Sequence, residues 1–91
     1  MKVKYLYAIV HPKTNEPVYI GQTVNPDRRL QEHKRGGQVI DQWIRDMIEK
    51  GLSPSLQVLS RHRKINQAER RAIIRMNKKY SLFNQLIPVN T

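Results

Sequence analysis

The chain has 91 residues, 38% of them hydrophobic, which suffices for one small domain over residues 1–91 but not for two separate cores. It contains no cysteine, which excludes disulfides and thiolate zinc sites. Its N-terminal apolar stretch is too short for a signal peptide or a membrane span, which predicts a soluble cytoplasmic protein. A net charge of +10 attracts polyanions and favours nucleic acid over an anionic membrane as partner.

Two strands joined by a turn are predicted at the start of the chain. Residues 3–10 are rich in β-branched and aromatic side chains, which favour strands. Two prolines and an asparagine in residues 11–17 predict a turn into a second strand over residues 18–23. The short joint predicts an antiparallel hairpin. Because side chains alternate along a strand, Tyr5 and Tyr7 are expected on the same face.

Two helices are predicted next. Asn25 is a favourable N-cap and Pro26 fits the first helical position, so the first helix begins there and ends near residues 34–37. Apolar residues at three- and four-residue steps predict a second helix over residues 39–48, with Gly51 as its stop.

A third strand and a third helix complete the predicted elements. Residues 55–60 are predicted to form the strand, residues 61–64 a basic loop, and residues 66–78 an amphipathic helix. The order ββααβα predicts a three-stranded sheet with helices packed against it, a small α/β fold of the α+β kind.

Arg29 and His33 lie four residues apart and therefore share a face of the first predicted helix. Tyr19 lies on the strand that leads into that helix. A guanidinium can bind a phosphodiester through two hydrogen bonds, and an imidazole or a phenol beside it can accept a proton from an attacking water. The same residues, with Arg28, are also compatible with a solvated basic helix face, which is the commoner meaning of such a pair taken alone, and both interpretations stay open.

Glu69 also has two interpretations. Asp27 complements the start of a helix, and four other carboxylates are expected to form helix-surface pairs with nearby basic side chains: Glu32, Asp41, Asp46 and Glu49. Glu69 follows Asn66 by three residues, a spacing that predicts a capping box at the start of the last helix. A lone carboxylate can alternatively anchor Mg²⁺, which keeps several waters and takes further oxygens from a substrate phosphate.

As a set, these residues resemble the GIY-YIG nuclease family over nearly the whole chain. Residues 5–7 stand at the first motif, with Tyr5 in place of its glycine, and residues 19–21 are the second motif intact. Residues 25–33 resemble the segment in which an arginine precedes a histidine by four positions. Residues 67–70 resemble the helix with the family's glutamate, and residues 82–84 the closing segment with its asparagine.

The resemblance implies a three-stranded antiparallel sheet between helices and hydrolysis of DNA phosphodiesters. Glu69 would bind one Mg²⁺ or Mn²⁺ ion, Arg29 would bind the scissile phosphate, and one of Tyr7, Tyr19 or His33 would take the proton of the attacking water. Asn84 would orient groups of the site by hydrogen bonding. Gly21 is expected to let the chain turn closely past the site.

Basic side chains beyond these motifs are expected to bind DNA, which is either duplex or branched: Arg28, Lys34, Arg35, Arg61, Arg63 and Lys64. The leading hypothesis is a stand-alone, metal-dependent DNA endonuclease with weak intrinsic sequence specificity. The alternative hypothesis is a module that keeps the fold and binds nucleic acid without cutting it.

Overall fold

A computed structural model describes residues 3–84 of the chain. The elements are β1 (Lys4–Val10), β2 (Pro17–Thr23), α1 (Pro26–His33), α2 (Val39–Glu49), β3 (Ser55–His62) and α3 (Ile65–Asn77). This order confirms the predicted ββααβα arrangement and the α+β fold. Within residues 3–84, no helix combines the length and the apolar character that crossing a membrane requires.

The three strands form one antiparallel sheet in the order β2-β1-β3, with β1 in the centre. The turn between β1 and β2 closes with a hydrogen bond from the His11 amide to the Glu16 carbonyl, and Asn15 takes a positive φ of 62°. Asparagine tolerates this left-handed conformation better than most residues. The pairing places Tyr7 directly opposite Gly21.

Because β1 is central, both of its faces are buried. One face packs under α3, and its buried residues are Leu6, Ala8, Val10, Ile20, Ile65 and Ala72. The other face packs against α2, and its buried residues are Tyr7, Ile9, Ile40 and Ile44. Each fully buried isoleucine contributes about 2 kcal/mol through its removal from water. The predicted alternation of side chains along β1 is therefore confirmed, and the two faces carry different chemistry.

The start of α1 agrees with the sequence. Asn25 is the N-cap residue and Pro26 occupies the first turn. The Asn25 carbonyl accepts hydrogen bonds from the amides of Arg28 and Arg29, although its side chain makes no capping bond. His33, the last residue of α1, is the only residue of this helix that is buried.

Two boundaries differ from the prediction. β3 continues through Arg61 and His62, which the sequence assigned to a loop, because both pair with the start of β1. The predicted capping box of Asn66 and Glu69 is wrong, since α3 begins one residue earlier, at Ile65, and has no side-chain cap. Ile65 is buried in the core, and its packing sets the helix start independently of any capping side chain.

Candidate active site

Tyr7 lies at the centre of the polar groups on the α2 face of the sheet. Its side chain is fully buried, with 0% exposure. Its hydroxyl lies 2.7 Å from His33 Nε2 and accepts a hydrogen bond from Arg29 Nε at 3.2 Å. Three of the predicted site residues, one from β1 and two from α1, therefore form one hydrogen-bonded group.

Asp41 extends this group on its other side. His33 Nδ1 lies 2.5 Å from Asp41 Oδ1, and the two residues are only 2% and 3% exposed. The second carboxylate oxygen of Asp41 accepts a hydrogen bond of 2.9 Å from the Gln38 amide. The prediction that Asp41 forms a helix-surface pair is therefore wrong. The sequence did hold a signal, because Asp41 falls three residues before Ile44, on the apolar face of α2 that packs on the sheet.

Arg29 and Arg28 are neighbours on α1 but have different surroundings. Both pair with the exposed Glu32, through Arg29 Nη1 at 3.1 Å and Arg28 Nε at 3.2 Å. Only Arg29 also contacts Tyr7, and its side chain is 31% exposed against 68% for Arg28. Burial alone would lower the pKa of Arg29, but its hydrogen bonds to Tyr7 and Glu32 raise it. The structure thus separates an anchored arginine from a solvated one.

Tyr19 lies beside this group and is partly exposed. Its ring centre is 5.5 Å from the His33 ring, in an edge-on arrangement, and 6.4 Å from the Tyr7 ring. Of the three candidates for accepting a proton from water, Tyr7 and His33 are buried. Tyr19 is thus the candidate that solvent reaches.

Gly21 lies within β2 and not at a turn, contrary to the prediction. Its lack of a side chain is explained by the close approach of Tyr7 from the neighbouring strand. A Cβ atom on Gly21 would lie 2.5 Å from the Tyr7 hydroxyl oxygen and 3.0 Å from Cε2 of Tyr19. Both distances are shorter than normal carbon contacts. The missing side chain is therefore the space that the Tyr7 hydroxyl occupies.

Burial raises the pKa of Tyr7 to about 12, although the hydrogen bond and the charge of Arg29 act in the opposite direction. Burial also raises the pKa of Tyr19, and Arg29 again lowers it. The negative charge of Glu69 raises the pKa of both tyrosines. Both phenols are consequently neutral near pH 7.

Glu69 approaches from α3, on the other face of the sheet. Its Oε1 accepts a hydrogen bond of 3.2 Å from the Gln22 side-chain amide, which also donates to Asn66 Oδ1 at 3.0 Å. Within residues 3–84, no group of three or more His, Cys, Asp or Glu side chains is arranged to hold a metal ion. A single carboxylate with an amide oxygen beside it suits Mg²⁺, which keeps several waters and needs few protein ligands.

Asn84 holds the chain after α3 against the edge of β2. Its Oδ1 accepts from the Ile20 amide and its Nδ2 donates to the Ile20 carbonyl, both at 2.7 Å. The Phe83 amide donates to the Val18 carbonyl, also at 2.7 Å. Asn84 therefore fixes the β2 backbone next to Tyr19, and both of its side-chain hydrogen bonds go to the backbone of Ile20 and not to a side chain of the site.

The basic residues expected to bind DNA fall into separate groups. Arg63 and Lys64 line a surface groove with Lys4 and Asn66 at the start of α3, two turns or less from Glu69. Lys34 and Arg35 follow the end of α1, near the buried group. Arg61 is exposed on β3, and Arg28 is the solvated neighbour of Arg29.

These groups lie on a small α+β domain with a charge of +10. The family model of the GIY-YIG catalytic domain matches residues 3–81. The chain belongs to the GIY-YIG family, whose domains are generally nucleases. No curated protein and no solved structure matches the chain significantly.

Proposed function

We propose that this protein is a divalent-metal-dependent DNA endonuclease that hydrolyses phosphodiester bonds with weak intrinsic sequence specificity. The observation that carries the proposal is the hydrogen bond from Arg29 Nε to the buried Tyr7 hydroxyl. It holds one guanidinium of a strongly basic domain in a defined place, against the tyrosine whose pKa the charge of Glu69 also raises.

Arg29 is the group that would bind the scissile phosphate. Its Nε donates a hydrogen bond to Tyr7, and its Nη1 contacts an exposed glutamate, Glu32, at 3.1 Å. A phosphate can displace an exposed carboxylate from Nη1, because solvent-exposed ion pairs are weak. The guanidinium then offers its donors to the phosphate oxygens and stabilises the charge that develops on them during attack.

Glu69 is the residue that would hold the metal ion, with Asn66 as the neighbouring oxygen donor. When bound, Mg²⁺ or Mn²⁺ would stabilise negative charge on the phosphate and on the leaving oxygen. The Gln22 amide orients the Glu69 and Asn66 oxygens together through its two hydrogen bonds, so that the carboxylate is directed before an ion arrives.

Tyr19 is the best-placed group to contact the attacking water, because Tyr7 and His33 are buried and Tyr19 is partly exposed. Its raised pKa keeps the phenol protonated at neutral pH in the free protein, and Tyr19 must lose that proton before it can accept one from water. The positive charge of Arg29 acts in the opposite direction, as would a cation at Glu69. Tyr7 and His33 then support Arg29 and pack against Tyr19 without contacting water.

Cleavage assays on duplex, nicked, flapped and branched DNA with Mg²⁺ or Mn²⁺ test this proposal. Arg29→Ala and Glu69→Ala should each lower the rate about 10³-fold or more, since one removes charge stabilisation and the other the metal ligand. Each variant should keep the wild-type circular dichroism spectrum.

The neighbouring substitution Arg28→Ala is the matched control for Arg29. It removes an equal charge from the same helix but no contact with Tyr7, so kcat should stay within about threefold of wild type while DNA affinity falls slightly. Equal loss of kcat in both arginine variants would contradict the role given to Arg29. Glu49→Gln, at the exposed end of α2, is the control for Glu69 and should leave the rate unchanged.

The alternative is a module that binds nucleic acid without cutting it, and the net charge of +10 is the observation that favours it. It predicts that the logarithm of the association constant for duplex DNA falls linearly with the logarithm of the salt concentration, with a slope of about −0.9 per neutralised phosphate. It also predicts that none of the four substrates is cleaved. Metal-dependent cleavage that Arg29→Ala and Glu69→Ala abolish would exclude it, because impurities do not respond to substitutions in this chain.

A further inference from the structure

We infer that Asp41 is a positioning residue for Arg29, acting through a directed chain of buried hydrogen bonds, Asp41–His33–Tyr7–Arg29. The chain links α2 to the guanidinium by way of α1 and β1, in steps of 2.5, 2.7 and 3.2 Å. The inference rests on the proposed function, in which Arg29 binds the scissile phosphate.

The direction of the chain follows from the Tyr7 hydroxyl. Within residues 3–84, its hydrogen-bond partners are Arg29 Nε and His33 Nε2. Arginine carries donors only, so the Tyr7 oxygen accepts from Arg29. Because Tyr7 is fully buried, its O–H needs a protein acceptor. That acceptor is His33 Nε2, which must therefore carry no proton.

Asp41 sets this state of His33. A carboxylate oxygen accepts the Nδ1–H of His33 at 2.5 Å, which places the ring proton on Nδ1 and leaves Nε2 as the acceptor. Asp41 is itself fixed by the Gln38 amide at 2.9 Å. Gly36 adjoins the carboxylate so closely that a Cβ there would overlap it. Its position is thus determined from three sides.

The position of the ring proton on His33 affects Arg29 through the Tyr7 hydroxyl, which contacts both residues. With Nε2 as acceptor, the Tyr7 O–H points to the histidine and the oxygen lone pair is available to Arg29 Nε–H. If the ring proton moved to Nε2, the Tyr7 oxygen would accept from His33 and its O–H would oppose the Nε–H donor of Arg29. Asp41 therefore determines whether the guanidinium can stay in its place.

Asp41→Asn tests the direction of the chain with almost no change of shape. The asparagine oxygen can still accept from the Gln38 amide, while its NH₂ group faces His33 Nδ1 and requires that nitrogen to be an acceptor. We expect ¹⁵N NMR of the ring nitrogens to show Nδ1–H in the wild type and Nε2–H in the variant. We also expect the Arg29 Nε–H to exchange slowly with solvent in the wild type and at least tenfold faster in the variant (about one order of magnitude for a lost hydrogen bond).

On DNA, Asp41→Asn should lower kcat about 10²-fold, the usual effect of an ångström-scale displacement of a catalytic group, with KM changed much less. Asp46→Asn is the matched control, since Asp46 is exposed on the same helix and its carboxylate accepts a hydrogen bond from the Gln42 side chain, away from His33. It should leave kcat, the His33 tautomer and the exchange of Arg29 Nε–H at their wild-type values.

Tyr7→Phe separates positioning from general destabilisation. It breaks the chain between His33 and Arg29, so the double variant Asp41→Asn/Tyr7→Phe should be no slower than the slower single variant. Losses that multiply in the double variant would overturn the inference. So would an Nε2–H tautomer in the wild type, or wild-type kcat in an Asp41→Asn protein whose tautomer has changed.

If Asp41→Asn does not fold, the wild-type tautomer and the Tyr7→Phe exchange rate of Arg29 Nε–H still decide the question. Absence of cleavage by the wild type would count against the proposed function alone, because tautomer and exchange are measured without DNA.

Discussion

The two faces of the sheet hold their polar groups in opposite ways. On the α2 face, Asp41, His33 and Tyr7 are almost fully buried and joined by bonds of 2.5 and 2.7 Å. On the α3 face, Glu69 is partly exposed and accepts a hydrogen bond of 3.2 Å from Gln22.

The difference suits the roles proposed for the two faces. A guanidinium that must stabilise charge in the transition state works best when it is held in place beforehand, since reorganisation during the reaction is costly. A carboxylate that binds a hydrated ion needs access to solvent and free lone pairs. Substitutions on the α2 face should therefore disturb both stability and rate, whereas those on the α3 face should disturb metal binding and spare the fold.

Gly36→Ala should have the largest effect of the three tests of this contrast. Its Cβ would overlap the Asp41 carboxylate, and Arg45 holds the Gly36 carbonyl at 2.7 Å, so the loop cannot easily move away. We expect a loss of about 1–3 kcal/mol in the free energy of unfolding by urea, typical of overpacking. The cleavage rate should fall together with it, about 10²-fold, because Arg29 is displaced.

The adjacent Gly37→Ala is its control. A Cβ on Gly37 meets no atom of the described chain within 4 Å, so stability and rate should match the wild type. Equal behaviour of the two alanine variants would show that the space around Asp41 does not constrain the site.

Gln22→Ala should act on the α3 face alone. It removes the amide that orients Glu69 and Asn66, and loss of a group that supports a metal ligand typically weakens metal affinity about 10-fold or more. The free energy of unfolding should change by less than about 1 kcal/mol, since the side chain is only partly buried. Titration of cleavage with Mn²⁺ measures the first effect; wild-type metal dependence would contradict the role of Gln22.

High pH should affect the α2 face reversibly. The pKa of Tyr7 is about 12 in the folded protein, against 10.0 for a free phenol. Below pH 10 the neutral phenol contributes its full stabilisation, which is lost as the pH rises from 10 to 12 because the unfolded chain ionises first. The loss amounts to about 2 kcal/mol.

Urea unfolding across this pH range measures the effect. In Tyr7→Phe, the free energy of unfolding should fall less steeply with pH than in the wild type. Identical slopes for the two proteins would mean that the Tyr7 hydroxyl does not resist ionisation in the fold.

Much of the fold was predictable because local patterns carry it. Alternation along β1 predicted its two faces, and Asn25 with Pro26 predicted the start of α1, on which the shared face of Arg29 and His33 depends. The predictions that failed, such as the capping box at Asn66, relied on a local sequence signal that tertiary packing overrode. Burial of Ile65 determined the start of α3 against the capping signal at Asn66.

By itself, the sequence determined the order of elements, the positive charge and the family, since each depends on composition and on residues close together in the chain. Only the tertiary structure decided that Asp41 is buried on His33, that Tyr7 is closed to solvent and that Gln22 joins Asn66 to Glu69. These contacts span between 8 and 47 positions and depend on the rotation of each helix over the sheet. Because helix rotation is set by the packing of whole apolar faces, no short motif encodes it.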